Sequence, residues 1–257
     1  MSYDDVKYKK NFLDTIIFRI DFSEILLLKD KIEANFQEAI KSIFPKLSTS
    51  FLSAYTSSIS PNSLNVGHEN ILVYEFSNVS EGLSLKISYK NLIFEAKRYS
   101  DFEAFSEKLQ KVLVEFNKYY TEYEIDRIGL RFINVIKVSS KSPLEWSGYI
   151  NKNLIDSLSF AKEVDSDNCY LNRCMCQQSY RFQDDNFLTF NYGIYNSEWP
   201  AKITQNEFIL DYDAYTKYVN IHDDIQSKYL NSFHGIIQDM FEKSIEEDLR
   251  KYMENEQ

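Results

Sequence analysis

The chain is predicted to be an α+β protein made of two pseudo-repeated halves, each running strand, helix, several antiparallel strands, helix. Three observations lead there. Short segments alternate apolar and polar residues, the pattern of a half-buried strand. Other segments place apolar residues three and four apart, the pattern of a helix with one buried face. The order of these segments before Tyr120 is met again after Glu124, which sets the halves at 1–122 and 123–257. No sequence identity joins the halves, so the repeat rests on element order alone.

The first strand carries Phe12, Ile16, Phe18, Ile20 and Phe22 on one side, with Arg19 and Asp21 on the other. A helix is expected from about Lys29 to Phe44, closed by Pro45, which cannot extend the backbone ladder. Phe51 to Ile59 has weak strand character, and Ser60 to Asn70, with Pro61 and Gly67, reads as a polar loop. Ile71–Val79, Leu83–Tyr89 and Leu92–Arg98 then read as three antiparallel strands. Ser100 and Glu103 form a capping box for a helix striped with Phe102, Phe105, Leu109, Val112, Leu113 and Phe116. The second half opens with a strand over Glu124–Val138 and a helix over Leu144–Leu158 after Pro143. A polar break, Glu163–Asn168, precedes a hairpin of Leu171–Phe182 and Phe187–Tyr195, turning at Gln183–Asn186. Phe208–Tyr212 supplies another strand, and one long helix runs from about Ile221 past Phe233, Ile237 and Phe241 to Ile245.

Composition narrows the function. With 257 residues, 26% charged and 44% hydrophobic, the chain has material for a full core. Its net charge of −10 argues against broad binding to nucleic acid, which depends on neutralising phosphates. The last fifth, from Phe208 onward, holds eleven acids against five bases, more than half of that excess. It is expected either to be a solvated helix face or to steer a basic protein partner. The first residues are neither basic nor continuously apolar, and no segment reaches the ~20 apolar residues of a membrane span. A cytoplasmic protein with no membrane contact is therefore expected. Six glycines leave little for phosphate-cradling loops, and no common catalytic motif is filled.

The most distinctive run is Asp126-Arg127-Ile128-Gly129-Leu130-Arg131-Phe132-Ile133-Asn134. On a strand, Arg127, Gly129 and Arg131 share a face, and the two guanidiniums, about 7 Å apart, could fork a carboxylate or phosphate over the glycine. The competing reading pairs them with acids such as Asp126 or Asp211 and has Asn134 satisfy backbone groups. Asp211 and Asp213 place two carboxylates on one strand face, yet a third metal ligand is missing except for the weak candidate His222. His234 is expected at the edge of the last helix's apolar stripe. Cys169, Cys174 and Cys176 lack zinc-knuckle spacing and read as small buried core thiols. No cofactor and no metal are expected.

The run Arg127-x-Gly129-Leu130-Arg131-Phe132-x-Asn134 resembles the central R-x-G-L-R-[FY]-x-N motif of a sporadically distributed, uncharacterised prokaryotic family of similar length. Tyr99, Phe102 and Phe105, the strand Ile209–Asp213, and Phe233-His234 with Phe241 and Met253 extend the resemblance over essentially the whole chain. The pattern departs at Ile245-Glu246, where that family often has Ile-Thr. The resemblance carries no reaction. Its patchy distribution implies accessory genes of the anti-phage defence or toxin–antitoxin kind. The expectation is thus a non-catalytic interaction module, binding a protein encoded by a neighbouring gene through its sheet face or acidic last helix, with homo-oligomers open and nucleic acid disfavoured. The candidate binding residues are Arg127, Arg131, Asn134, Asp211, Asp213 and His234. The alternative is a ligand-sensing or hydrolytic domain that holds a phosphate or carboxylate compound at the arginine pair.

Overall fold

The computed structural model describes residues 8–60, 63–98, 101–138, 142–164, 166, 169–182, 185–220 and 223–254, with the backbone alone over 54–60 and 63–66. In the first half, strand β1 (Leu13–Phe22) is followed by helix α1 (Ala34–Ile40), strands β2 (Lys46–Ser60), β3 (Ser63–Asn78), β4 (Leu83–Ile87) and β5 (Asn91–Ala96), and helix α2 (Phe102–Tyr119). The second half contains β6 (Ile125–Lys137), α3 (Lys152–Val164), β7 (Cys174–Arg181), β8 (Phe187–Ile194), β9 (Glu207–Val219), α4 (Asn231–Ser244) and α5 (Glu247–Glu254). The strands form an open antiparallel sheet in the order β2-β3-β4-β5-β1-β6-β9-β8-β7. The mixed α and β character follows the two periodicities in the sequence. Among the described residues no helix is long and apolar enough to cross a membrane.

By compactness the chain divides into two units, one of Met1–Ile16, Leu130–Tyr215 and Ser227–Gln257, the other of Ile17–Gly129 and Thr216–Gln226. The second unit is built on aromatic packing. Phe36 of α1 meets Phe76 and Phe116 edge-on with centroids 5.9 Å away, and Phe94 of β5 meets Phe44 at 5.7 Å and Phe105 at 5.0 Å. Such pairs add about 0.5–1.5 kcal/mol each to the burial of their rings. The stripe expected on α2 is buried from Phe105 to Phe116. Its cap is Asp101, which accepts from the Ala104 amide at 2.8 Å. Ser100 lies outside the described residues.

In the first unit α3 contacts β8, and His234 of α4 lies against Phe132 of β6. Tyr212 stacks on Phe190 at 4.6 Å, and Trp146 packs on Phe208 at 5.3 Å. A buried carboxylate, Glu242, is held from three sides: Tyr8 donates to both of its oxygens at 2.9 Å, Arg250 Nε donates at 3.2 Å, and Gln238 lies at 3.5 Å. Arg250 also donates to the carbonyl of Ile245 at 2.9 Å and to that of Glu242, closing the carboxyl end of α4.

Several elements depart from expectation, each for a local physical reason. The helix expected over Lys29–Phe44 is a 3₁₀ turn at Leu26–Lys29 and the short α1, because Glu33 stays extended while its amide donates to Tyr120 Oη at 3.1 Å. The loop expected from Ser60 to Asn70 is mostly strand β3, since an unbroken ladder from Lys46↔Ser77 to Ser60↔Ser63 outweighs weak local propensity. Pro61 lies outside the described residues. The helix expected from Leu144 begins only at Lys152. Gly148, at φ +83°, breaks the backbone, and Trp146 turns inward to donate to the Pro143 carbonyl at 2.8 Å. The single closing helix is a π-helical turn at Ile225–Leu230 leading into α4, then α5. Ile245 between them is extended, buried, and bridged to Ile150. Strand β9 runs on to Val219, so Asp211 and Asp213 sit mid-strand instead of at a strand end.

Candidate functional site

In the first unit, β6 from Leu130 on, β9 as far as Tyr215, β8 and β7 turn their odd-numbered residues to one face, opposite the more buried even-numbered ones. Across them runs a polar ladder. Arg131 donates from Nε and Nη2 to the two oxygens of Asp211, both at 2.7 Å. Asn191 Nδ2 donates to Asp211 at 3.2 Å, and Gln177 Nε2 donates to Asn191 Oδ1 at 2.8 Å. The register makes this possible, because Asn191 lies directly opposite Asp211 and Gln177 opposite Asn191. The Arg131 side chain is 41% exposed and that of Asp211 only 8%, so the acid depends on its partners while the arginine keeps contact with solvent. The hydrogen bonds from Arg131 to Asp211 hold the guanidinium's pKa above its ordinary value, with the charges of Asp211 and Asp213 acting in the same direction.

The other expected residues fall around this ladder in different ways. Asn134 is buried and donates to the Leu210 carbonyl at 3.3 Å, satisfying a backbone group. Asp213 lies two residues along the same face from Asp211 and adds to the field at Arg131. His234, on α4, is half-buried with its ring 5.9 Å from Phe132. Arg127 belongs to the second unit. Its guanidinium occupies the space over Gly129, so close that a Cβ there would meet Nη1 at 2.9 Å. The planar group for which Gly129 leaves room is thus the neighbouring arginine itself. His222 lies outside the described residues.

Two ladder residues, Asn191 and Gln177, carried no motif. Their only signal is that each is a polar side chain within the expected hairpin. The cysteines require a correction. Cys169 is exposed, and Cys174 and Cys176, on the end strand β7, are half-exposed instead of buried, with Ser157 of α3 3.7 Å from Cys174 Sγ. Partial burial still raises the Cys174 thiol above its ordinary pKa. Among the described residues no group of three His, Cys, Asp or Glu side chains stands close enough to hold a metal ion. In the second unit a shallow cleft is lined by Arg19, Asp21, Lys90 and Asp126. Its cations are engaged, Arg19 with Asp21 at 2.6 Å and Lys90 with Glu24 at 3.5 Å.

No protein-family model matches the chain, and no curated protein matches it either.

Proposed function

We propose that the protein is a non-catalytic interaction component of an accessory system, of the anti-phage defence or toxin–antitoxin kind, that docks a partner protein on the open sheet face around Arg131. One observation carries this reading. The fork of Arg131 is closed on Asp211, while Ile133, Val135, Ile209 and the stacked Phe187–Tyr215 pair stay half-exposed on the same face. A flat surface mixing apolar and aromatic groups with a pre-ordered arginine suits protein recognition, where Arg and Tyr anchors dominate. With Nε and Nη2 of Arg131 engaged by Asp211, a phosphate or carboxylate ligand would meet only the remaining guanidinium N–H groups, with a carboxylate beside them, which disfavours the ligand-sensing alternative. Acidity in the last helices is partly neutralised by Asp239–Lys243, Glu247–Lys251 and Glu242–Arg250 pairing, which favours the sheet face over those helices as the docking surface. The accessory context rests on the motif resemblance. The matching element order on either side of Tyr120 supports two pseudo-repeated halves, and three free thiols suit a reducing cytoplasm.

The test is recovery of the tagged full chain from its native host at near-native level. A stoichiometric partner encoded next door is expected, and the double variant Ile133→Glu, Ile209→Lys should lose it with thermal unfolding unchanged. A wild-type chain recovered clean and partner-free overturns the proposal.

A further inference from the structure

Edge strands are usually short, charged or broken, because an unpaired backbone edge recruits other strands. Beyond Lys46 at its start, the β2 edge has none of these protections. It is 15 residues long, against a usual five or six, and it ends the strand order, pairing among the described residues with β3 alone. From Leu47 to Gly67 there is no Asp, Glu, Lys or Arg, in a chain that is otherwise 26% charged. Phe51 and Leu52 are 70% and 59% exposed at the middle of the strand. Strand β4 pairs with β3 only from Asn78 back to Tyr74. From Ser50↔Val73 to Ser60↔Ser63 the ribbon is therefore two strands wide among the described residues, an arm of about 35 Å. A two-stranded ribbon is marginal by itself in water.

The sequence of this strand says what completes it. Read outward from Ser53, β2 is chemically palindromic: Leu52 matches Ala54, Phe51 matches Tyr55, and Ser50 matches Thr56. Farther out, Thr49 matches Ser57, Ser48 matches Ser58, and Leu47 matches Ile59. Two identical strands paired antiparallel about a two-fold axis set each residue opposite the one equally far on the other side of the axis. With the axis at Ser53, apolar positions oppose apolar ones, aromatic opposes aromatic, and hydroxyl opposes hydroxyl on both faces. No like charges meet, although two copies carrying −10 each repel elsewhere.

We propose that β2 pairs antiparallel with β2 of a second copy of this chain, about an axis at Ser53, making a two-fold dimer. The pairing is independent of the docking face around Arg131, so either can fail without the other.

The test uses light scattering of the full chain in solution. Wild type is expected at twice the chain mass at high-micromolar concentration. Ser53→Lys and Ser53→Glu each place like charges face to face and should run at the single-chain mass. Mixing the two should restore the doubled mass, because lysine then faces glutamate. A near-isosteric probe covers loss of folding in the charged variants. In a Cys169→Ser background, Ser53→Cys should give an oxidised covalent dimer, while Thr49→Cys, far from its symmetry mate, should not. A single-mass wild type, doubled mass persisting in both charge variants, failure of the folded pair to recombine, or equal cross-linking at 49 and 53 overturns the proposal.

Discussion

Replacing Arg131 by methionine separates a structural arginine from a ligand-binding one. The substitution keeps much of the aliphatic stem and removes both donors to Asp211. That leaves a carboxylate with 8% exposure and, among the described residues, the amide of Asn191 at 3.2 Å as its donor. Removing one partner of a buried pair costs about 3–5 kcal/mol. Because Arg131 itself is 41% exposed, the lower end applies, about 3 kcal/mol. The reverse change, Asp211→Asn, strands a guanidinium that water reaches, and should cost only about 1 kcal/mol. The double variant Arg131→Met, Asp211→Leu removes both charges and should regain most of the loss, within about 1 kcal/mol of wild type. Urea unfolding of the four proteins measures all three values. An Arg131→Met protein within about 0.5 kcal/mol of wild type would refute the reasoning. The ladder would then not depend on Arg131, and the guanidinium would be free for a ligand.

Two further outcomes follow from the geometry. Gly148→Ala should destabilise the first unit by about 1–3 kcal/mol in the same unfolding assay, because φ +83° disfavours any side chain and a Cβ would run into the Asp248 carboxylate. Burial pushes the Tyr123 hydroxyl up to about 12 from its ordinary 10. Folded Tyr123 therefore keeps its proton where the unfolded chain loses it, so its contribution is whole below pH 10 and is lost as pH rises toward 12. About 3 kcal/mol is at stake, and Tyr123→Phe should flatten that part of the alkaline unfolding curve.

What the sequence shows best is local periodicity backed by burial. The alternation in β1 and the stripe of α2 are legible because each residue's face is set by its own neighbours along the chain. The errors occur where distant pairing decides. Ser63–Asn70 has little intrinsic strand character and becomes strand because Ser53–Ser60 lies beside it. Ile245 sits inside a helical pattern and turns extended because Ile150 is there to bridge it and Arg250 is there to cap the preceding carbonyls.

The candidate site shows the same division between chemistry and commitment. Arg131 and Asp211 were both identifiable as charged residues on strand faces, but they are 80 positions apart in sequence and their union depends on the β6–β9 pairing. Gly129 was identifiable as a gap beside arginines, yet only the fold shows that Arg127 fills it. These commitments engage Arg131 with Asp211 and fill the gap at Gly129, so the open anion fork expected from the sequence is not formed. Two surfaces then differ in kind. The face around Arg131, the proposed docking surface, mixes an ion pair and amides with half-exposed apolar side chains. The β2 edge is uncharged from Leu47 onward, hydroxyl-rich and chemically symmetric about Ser53, which suits its own copy, because a two-fold contact requires a surface complementary to itself.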